Sequence, residues 1–367
     1  MMTKSISILI FCLNFQLFSQ SQNELIATII GSGSPKYNTE RAGPSVLISY
    51  KNTKILVDMG NGTQGNLDKL QVKNKDLDAL LFTHHHLDHN EEFTPIFIKT
   101  LLAAGQFQVV GPKPTSNLVN SILNNYEEDI AYRLSKKQRT FSDVASNFTL
   151  NELEGIQSFI IGDIEISCTP VNHTIATMAF RFDAGGKSIV ISGDLSYSQS
   201  LPILAKQADY LIIDSGGAIE QGKSNTRIGN GKNRGNKTHA HVNLDESSRM
   251  ANEGQVKNLV LTHLNFTNVD EVATTKELSK NYKGAVFYAE DLMTFPKNGD
   301  TLETQKRIDN AKNNQGSNFE NMLKRLDSNK DGKIARAEAK GKLKENFDKR
   351  DTNKDGFITE KDLRQRK

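Results

Sequence analysis

The sequence predicts an α/β protein followed by a small helical module. Between residues 24 and 296, apolar runs of strand length alternate with stretches of helical period. Several of the predicted strands end directly in a histidine or an aspartate. Further along, two twelve-residue loops rich in Asp and Asn repeat one spacing. With 367 residues, the chain is long enough for two or three domains.

The composition sets limits on the partners of this chain. Its formal net charge is +3 and 24% of its residues are charged, which gives no strong field for binding a polyanion. Hydrophobic residues make up 37% of the chain, which over this length is enough for a core. Cys168 is left without a cysteine partner if Cys12 is removed with a leader, so we interpret it as a small buried core residue.

Residues 1–22 have the pattern of a secretory signal peptide. Lys4 supplies the positive start, residues 5–18 are mostly apolar, and residues 19–22 are small and polar. We therefore expect a periplasmic or secreted protein after cleavage; a short N-terminal anchor or a buried strand is the alternative. No later run approaches the roughly 20 apolar residues of a membrane span, so the mature chain is expected to have no transmembrane segment.

Strand and helix patterns alternate through the main part of the chain. Strands are predicted at 24–30, 45–50, 54–57, 77–82, 109–110, 158–161, 164–169, 188–192, 210–214 and 257–261, and helices at 66–70, 94–104, 115–134 and 244–253. The loop 58–64 contains two glycines, which permit a tight turn that brings its backbone close to a site. Alone, this loop is weak evidence for phosphate binding.

The densest chemical motif is the stretch 83–89, which directly follows the predicted strand 77–82. It contains His84, His86, Asp88 and His89, and their spacing offers one pair of ligands to each of two neighbouring metal ions. Imidazole and carboxylate groups suit Zn²⁺, with Fe and Mn as alternatives. A surface cluster of histidines is the non-functional interpretation.

Three more residues of ligand type follow other predicted strands. His173, Asp194 and His263 each come just after an apolar run. Each alone is an ordinary loop residue. Their joint occurrence at strand ends favours one shared metal site.

These residues together resemble the metallo-β-lactamase-fold hydrolases, and within them the ribonuclease Z and arylsulfatase-like branch. The resemblance covers residues 24 to about 296 and depends on the loop 58–64, the motif 84–89, His173, the stretch 192–194 and the stretch 261–263. It implies a four-layer αβ/βα sandwich, in which two mixed β-sheets face each other with helices outside.

The resemblance also implies roles for single residues. A first zinc ion would be held by His84, His86 and His173, a second by Asp88, His89 and His263, with Asp194 bridging the two ions. Two cations about 3.5–4 Å apart generate a hydroxide near neutral pH and stabilise the attacked and leaving oxygens.

The branch carries an extra catalytic histidine at the position of His241, which is expected to donate a hydrogen bond or a proton; a solvent-exposed loop histidine is the alternative. Asp88 and His241 are the predicted catalytic residues, and His85 and His239 are predicted bystanders.

The resemblance favours a phosphodiester substrate, with a sulfate ester close behind and a lactone or another acyl ester third. Leu87 stands where ribonuclease Z usually has glycine, and no long Gly/Pro/basic arm is present. We therefore expect a small anionic ester as substrate and do not favour nucleic acid. The stretch 222–238, rich in Gly, Asn, Lys and Arg, either covers the site or is a solvated loop. A non-catalytic calcium-binding or adhesion protein is the rival class, and a homodimer remains an open alternative.

The C-terminal loops fit the twelve-residue EF-hand pattern, after a polar linker at 298–316. The predicted calcium ligands are Asp327, Asn329, Asp331, Lys333 and Glu338 in the first loop, and Asp351, Asn353, Asp355, Phe357 and Asp362 in the second. Because Asp362 is shorter than the usual glutamate, the second loop is expected to bind Ca²⁺ more weakly or to prefer Mg²⁺. Outside the cytosol this pair, predicted within residues 317–367, would be permanently loaded and would stabilise the protein or dock a partner.

Overall fold

The structure is a computed structural model that describes residues 23–103, 105–222, 240–296, 322–351, 353–359 and 362. The predicted signal peptide, the predicted linker and nearly all of the stretch 222–238 lie outside these residues, as does His239. The chain divides into two compact units, residues 1–300 and 301–367. No helix among the described residues has both the length and the apolar character needed to cross a membrane.

The first half of the larger unit forms a seven-stranded sheet with helices on its outer face. Its strands are β1 (Ile26–Gly31), β2 (Ser45–Tyr50), β3 (Thr53–Val57), β4 (Ala79–Leu81), β5 (Phe107–Pro112) and β6 (Phe148–Leu153), joined at the edge by β14 (Thr294–Phe295). The helices are α1 (Thr63–Lys69), α2 (Leu87–Asn90), α3 (Phe93–Leu102), α4 (Thr115–Asn125) and α5 (Glu127–Ser135). The strand order is β14-β1-β2-β3-β4-β5-β6, and β3 to β6 run parallel.

The second half forms another seven-stranded sheet. Its strands are β7 (Gln157–Ile161), β8 (Ile164–Val171), β9 (Thr177–Ala184), β10 (Lys187–Ile191), β11 (Tyr210–Asp214), β12 (Asn258–Thr262) and β13 (Ala285–Tyr288), and its helices are α6 (Ser200–Leu204), α7 (Leu244–Glu253) and α8 (Glu271–Leu278). Strands lie in the order β13-β12-β11-β10-β9-β8-β7, with β10 to β13 parallel. Parallel strands end at the same edge of a sheet, so loops that follow them are brought together.

Three apolar clusters confirm the predicted layers. One lies between the two sheets and includes Ile48, Phe180 and Phe295, all fully buried. The other two pack the outer face of each sheet against its helices. This is the αβ/βα arrangement expected from the sequence, because strands buried on both faces are apolar almost throughout.

One predicted helix is wrong in its extent. The stretch 115–134 was expected to be continuous, but α4 ends at Asn125 and α5 begins at Glu127. The apolar spacing of this stretch predicts a buried stripe that includes Tyr126, but Tyr126 lies between the two helices with 42% of its surface exposed. Ile122 and Ile130, on either side of the break, are both buried in the core. The apolar spacing therefore continues across the break.

The described part of the smaller unit contains β15 (Ile334–Ala335), α9 (Lys342–Glu345), α10 (Phe347–Arg350) and β16 (Phe357–Ile358). β15 and β16 pair antiparallel, with Ile334 opposite Ile358, as the loop spacing predicts. The EF-hand pattern also predicts a flanking helix over 337–347. The structure has two short helices instead, α9 and α10, and Phe347 at the start of α10 is buried with Ile334 and Ile358.

In both C-terminal loops, residues predicted as calcium ligands accept hydrogen bonds from backbone amides of the same loop. Asp327 Oδ2 accepts from the Gly332 amide at 2.9 Å, and Asp351 Oδ2 accepts from the Gly356 amide at 2.8 Å. Both glycines have positive φ angles of 78° and 86°, which side chains rarely adopt. The last position of the second loop, Asp362, accepts from the Thr359 amide at 2.9 Å.

Candidate metal centre

Seven residues of ligand type meet between the two sheets. The first sheet supplies four from the segment after β4, where Asp88 and His89 lie on the short helix α2. The second sheet supplies His173 after β8, Asp194 after β10 and His263 after β12. The ligand atoms form two clusters, each with its atoms within 4.8 Å of one another: His84, His86, His173 and Asp194 in one, and Asp88, His89 and His263 in the other. The structure thus brings together the seven residues expected from the sequence, and it groups His84 and His86 with His173 and Asp88 and His89 with His263.

The first cluster is a tripod of ring nitrogens. His86 Nδ1 lies 3.1 Å from His84 Nε2 and 3.1 Å from His173 Nε2. His84 is fully buried, and its burial lowers the pKa of the imidazole far below the ordinary value. A neutral imidazole is the form that binds a metal ion.

The second cluster combines two imidazoles with a carboxylate. Asp88 Oδ2 lies 3.3 Å from His263 Nε2 and 3.5 Å from His89 Nε2. His89 Nε2 is buried and has no hydrogen-bond partner. A buried polar atom without a partner is costly, and a cation at this point would satisfy it.

Asp194 connects the two clusters. Its Oδ1 is 3.4 Å from His89 Nε2, and its Oδ2 is 3.2 Å from His263 Nε2 and 3.9 Å from His84 Nε2. Burial opposes ionisation of this carboxyl, but the adjacent imidazoles of His263 and His89 hold its pKa well below the usual range. A buried anion between two groups of nitrogen donors fits a pair of divalent ions such as zinc.

Asp58 orients one imidazole of the second cluster through the ring nitrogen that faces away from the cluster. This buried residue directly follows β3 and has the left-handed conformation, with a φ of 59°. Its Oδ2 lies 2.9 Å from His89 Nδ1, and its two oxygens accept the amide and hydroxyl of Thr83 at 2.8 and 2.7 Å. The His89 ring is thus held with Nε2 toward the cluster. The sequence placed Asp58 in a glycine-rich loop but gave it no partner.

Two glycines of the loop 58–64 have different roles in the structure. A Cβ on Gly60 would lie 2.5 Å from the Asp88 carbonyl oxygen, so the close approach expected of this loop is present. The amides of Gly62 and Gln64 donate to the two carboxylate oxygens of Glu92, at 2.8 and 2.6 Å. Because Glu92 occupies these donors, the loop has no free amide pair there for a phosphate.

His241 lies beside the clusters and is held by a residue that sequence reasoning missed. Its Nδ1 lies 2.7 Å from Asp214 Oδ2 and 3.8 Å from Asp194 Oδ2. The hydrogen bond to Asp214 raises the pKa of His241 to about 9. Asp214 is the last residue of β11 and is buried, and its strand-end position was the available signal. His241 also falls within 4.8 Å of Asp194 and His263, so its position alone permits a ligand role.

His85 points away from these clusters. Its Nε2 lies 2.8 Å from Thr115 Oγ1 at the start of α4, and its ring packs on Phe82. It belongs to none of the ligand clusters found among the described residues. The bystander role predicted for His85 agrees with this placement.

A family model described as a beta-lactamase superfamily domain matches residues 53–264. The chain belongs to this family. Ribonuclease Z of Mycobacterium bovis (strain BCG / Pasteur 1173P2) is 29% identical over 245 residues, which are 64% of this chain and 84% of that protein. Ribonuclease Z of Mycobacterium marinum (strain ATCC BAA-535 / M) is 31% identical over 192 residues, 50% of this chain and 68% of that protein. The chain is a metal-dependent hydrolase of the phosphodiesterase type and ribonuclease Z-like, as the resemblance implied.

Solved structures share the fold. The metallo-beta-lactamase fold protein YhfI from Bacillus subtilis aligns with a TM-score of 0.57 at 20% identity, over 74% of this chain and 98% of that one. The short form of human tRNase Z aligns with a TM-score of 0.55, also at 20% identity, over the same shares of the two chains. At such identities the likeness concerns the fold of the hydrolase unit and not its substrate.

Proposed function

We propose that the chain is an exported, binuclear zinc-dependent phosphodiesterase with a calcium-binding EF-hand pair. The single observation that supports the metal pair most is the position of Asp194, which lies 3.9 Å from His84 Nε2 of the first cluster and 3.2 Å from His263 Nε2 of the second. Export is supported by the pattern of residues 1–22 and by nothing else in the chain. Calcium binding is supported by the spacing of both loops and by their left-handed glycines.

His84, His86 and His173 would hold one ion, and Asp88, His89 and His263 the other, with Asp194 shared. When bound, such a pair supplies Lewis acidity that polarises a phosphoryl oxygen and ionises water near neutral pH. His241 contributes a proton at the rim: with Nδ1 bonded to Asp214, its other nitrogen is available to donate toward a leaving or non-bridging oxygen. Asp214 keeps that imidazole protonated and fixes its orientation.

The ribonuclease Z relatives support a second candidate substrate, an RNA phosphodiester. Because these relatives are named ribonuclease Z, they favour a nucleic-acid substrate more than the sequence features alone do. A net charge of only +3 argues for a small ester instead. Sulfate esters and lactones remain alternatives that the same metal pair would serve.

Metal analysis and a substrate panel test the proposal. We expect about two transition-metal ions per chain and turnover of bis(4-nitrophenyl) phosphate above 4-nitrophenyl sulfate and lactones. His84→Ala should lose both metal and turnover. His85→Ala, a histidine of the same motif that faces Thr115, is the matched control and should keep both. A protein without transition metal would support the non-catalytic class, and faster cleavage of a precursor RNA would identify the substrate as nucleic acid.

Calcium titration tests the C-terminal module separately. Among the described residues of this unit, no three His, Cys, Asp or Glu side chains converge as those of the candidate metal centre do. The loop carboxylates accept backbone amides instead, as Glu338 Oε1 does from Ser328 at 2.9 Å. Binding in the range of about 10⁻⁴–10⁻³ M would fit a module loaded permanently outside the cytosol. Submicromolar affinity with exposure of an apolar groove would make it a sensor instead.

A further inference from the structure

Four of the five imidazoles in the two clusters have their outer nitrogen tied to a partner within 3.1 Å. His84 Nδ1 faces Thr83 Oγ1 at 3.0 Å, and His173 Nδ1 faces the Ala240 carbonyl at 2.7 Å. His89 Nδ1 faces Asp58 at 2.9 Å. In His263 the Nδ1 is 3.9 Å from Asp214, beyond a hydrogen bond. Such outer partners set which ring nitrogen carries the proton and therefore which one can bind a metal.

His86 differs from the others in two ways. It is the one ring of the five that presents Nδ1 to its cluster, with Nε2 turned outward. It is also only partly buried, so packing constrains the ring less than it constrains fully buried His84. A ring flip would exchange a nitrogen for a carbon at the cluster, and the tripod would lose a donor.

Thr174 is placed to prevent that flip. Its Oγ1 lies 3.1 Å from His86 Nε2, and it follows His173 directly in the chain. We propose that Thr174 is a positioning residue for the metal pair: its hydroxyl accepts the Nε2 proton of His86 and so fixes the Nδ1 lone pair toward the first cluster. The inference rests on the metal pair proposed above.

The contact also joins the two sheets. His86 belongs to the segment after β4 of the first sheet, whereas Thr174 follows β8 of the second. The hydroxyl of Thr174 thus holds His86, from the first sheet, in position beside His173, from the second sheet. The sequence singled out His173 in this loop but not Thr174, because a threonine after a histidine has no chemical signature.

Thr174→Val keeps the branched shape of the side chain but removes the hydroxyl that accepts from His86. Thr174→Ser keeps a hydroxyl at this position. Thr267→Val is the matched control, since the Thr267 hydroxyl, on the loop after His263, accepts its hydrogen bond from Asn38 Nδ2. Two readouts are measured on the full chain: stepwise affinity for Co²⁺ from its visible absorption, and the tautomer of His86 in the metal-free protein from imidazole ¹⁵N shifts, assigned with His86→Gln.

We expect Thr174→Val to weaken one of the two Co²⁺ steps by about tenfold, within the usual range for loss of an outer partner. The His86 signals should change from the Nε2–H form to a mixture, and Thr174→Ser and Thr267→Val should behave as wild type. Unchanged Co²⁺ steps and an unchanged tautomer in Thr174→Val would overturn the inference while leaving the metal pair intact. A wild-type protein that binds no Co²⁺ would overturn the metal pair itself.

Discussion

Replacing Asp58 by alanine should weaken both the fold and the second metal cluster. The carboxylate of Asp58 accepts the Thr83 amide at 2.8 Å, the Thr83 hydroxyl at 2.7 Å and His89 Nδ1 at 2.9 Å, all in the buried interior. In the metal-free protein His84 Nδ1 need not carry the proton, so the Thr83 hydroxyl can turn to that atom, 3.0 Å away, and keep a partner. The Thr83 amide and the His89 ring nitrogen are then left as two buried donors without acceptors.

Each buried donor without a partner costs about 1–3 kcal/mol, so Asp58→Ala should lower the free energy of unfolding by about 2–6 kcal/mol. Zinc affinity should fall by about 10–100-fold, because the His89 ring is no longer fixed. Urea unfolding followed by circular dichroism in chelator measures the first quantity, and competition with a zinc indicator measures the second.

Asp58→Asn separates the two effects. Asparagine tolerates the left-handed backbone at this position and still offers one oxygen to Thr83, but its amide cannot accept from His89 if that oxygen stays with Thr83. We therefore expect a smaller loss of unfolding free energy than in Asp58→Ala, with a comparable loss of zinc affinity. If Asp58→Ala unfolds as wild type does and binds zinc equally well, this account of the buried network is wrong.

Three further variants test other parts of the molecule. His241→Ala should lower turnover of bis(4-nitrophenyl) phosphate by about 10²–10⁴-fold while two metals per chain remain; loss of a metal would instead make His241 a ligand. Gly216→Ala should reproduce part of that loss, measured as kcat, because a Cβ there would lie 2.1 Å from the Val242 carbonyl oxygen and 2.8 Å from His241 Cβ. A normal kcat in Gly216→Ala would show that turnover does not depend on the observed position of His241. Asp362→Glu should tighten Ca²⁺ binding at the second loop, measured by calorimetry, and equal affinity would mean that ligand length is not limiting there.

The ligand residues could be predicted from sequence because each follows a strand. An apolar run such as Ala79–Leu81 fixes where a strand ends, and the topology of parallel strands then brings the residues after it to one edge. The motif 84–89 supplies four ligands within six residues, so no long-range information is needed for half the site.

The partners of those ligands could not be predicted in the same way. Asp214 and His241 are separated by 27 residues, and Thr174 and His86 by 88. Such contacts depend on side-chain directions after both sheets have packed, which local patterns do not encode. The break at Tyr126 was missed for a related reason: helical spacing continues through it, and no glycine or proline marks the end of α4.

The distribution of the candidate ligands makes the proposed metal centre a property of the packed pair of sheets. Neither of the two clusters is complete within one sheet: both take residues from the segment after β4, and the first also needs His173 and the second His263, from the second sheet. Buried Arg41 ties the same halves together nearby, with Nη1 donating to the Ala289 carbonyl at 2.6 Å. Since an ion can bind fully only after the sheets have docked, its binding free energy adds to their association, about 2.7 kcal/mol at one hundred times Kd. Chelation should therefore lower the unfolding midpoint of the hydrolase unit as a whole, and a variant that loses one ligand should lose most of this stabilisation.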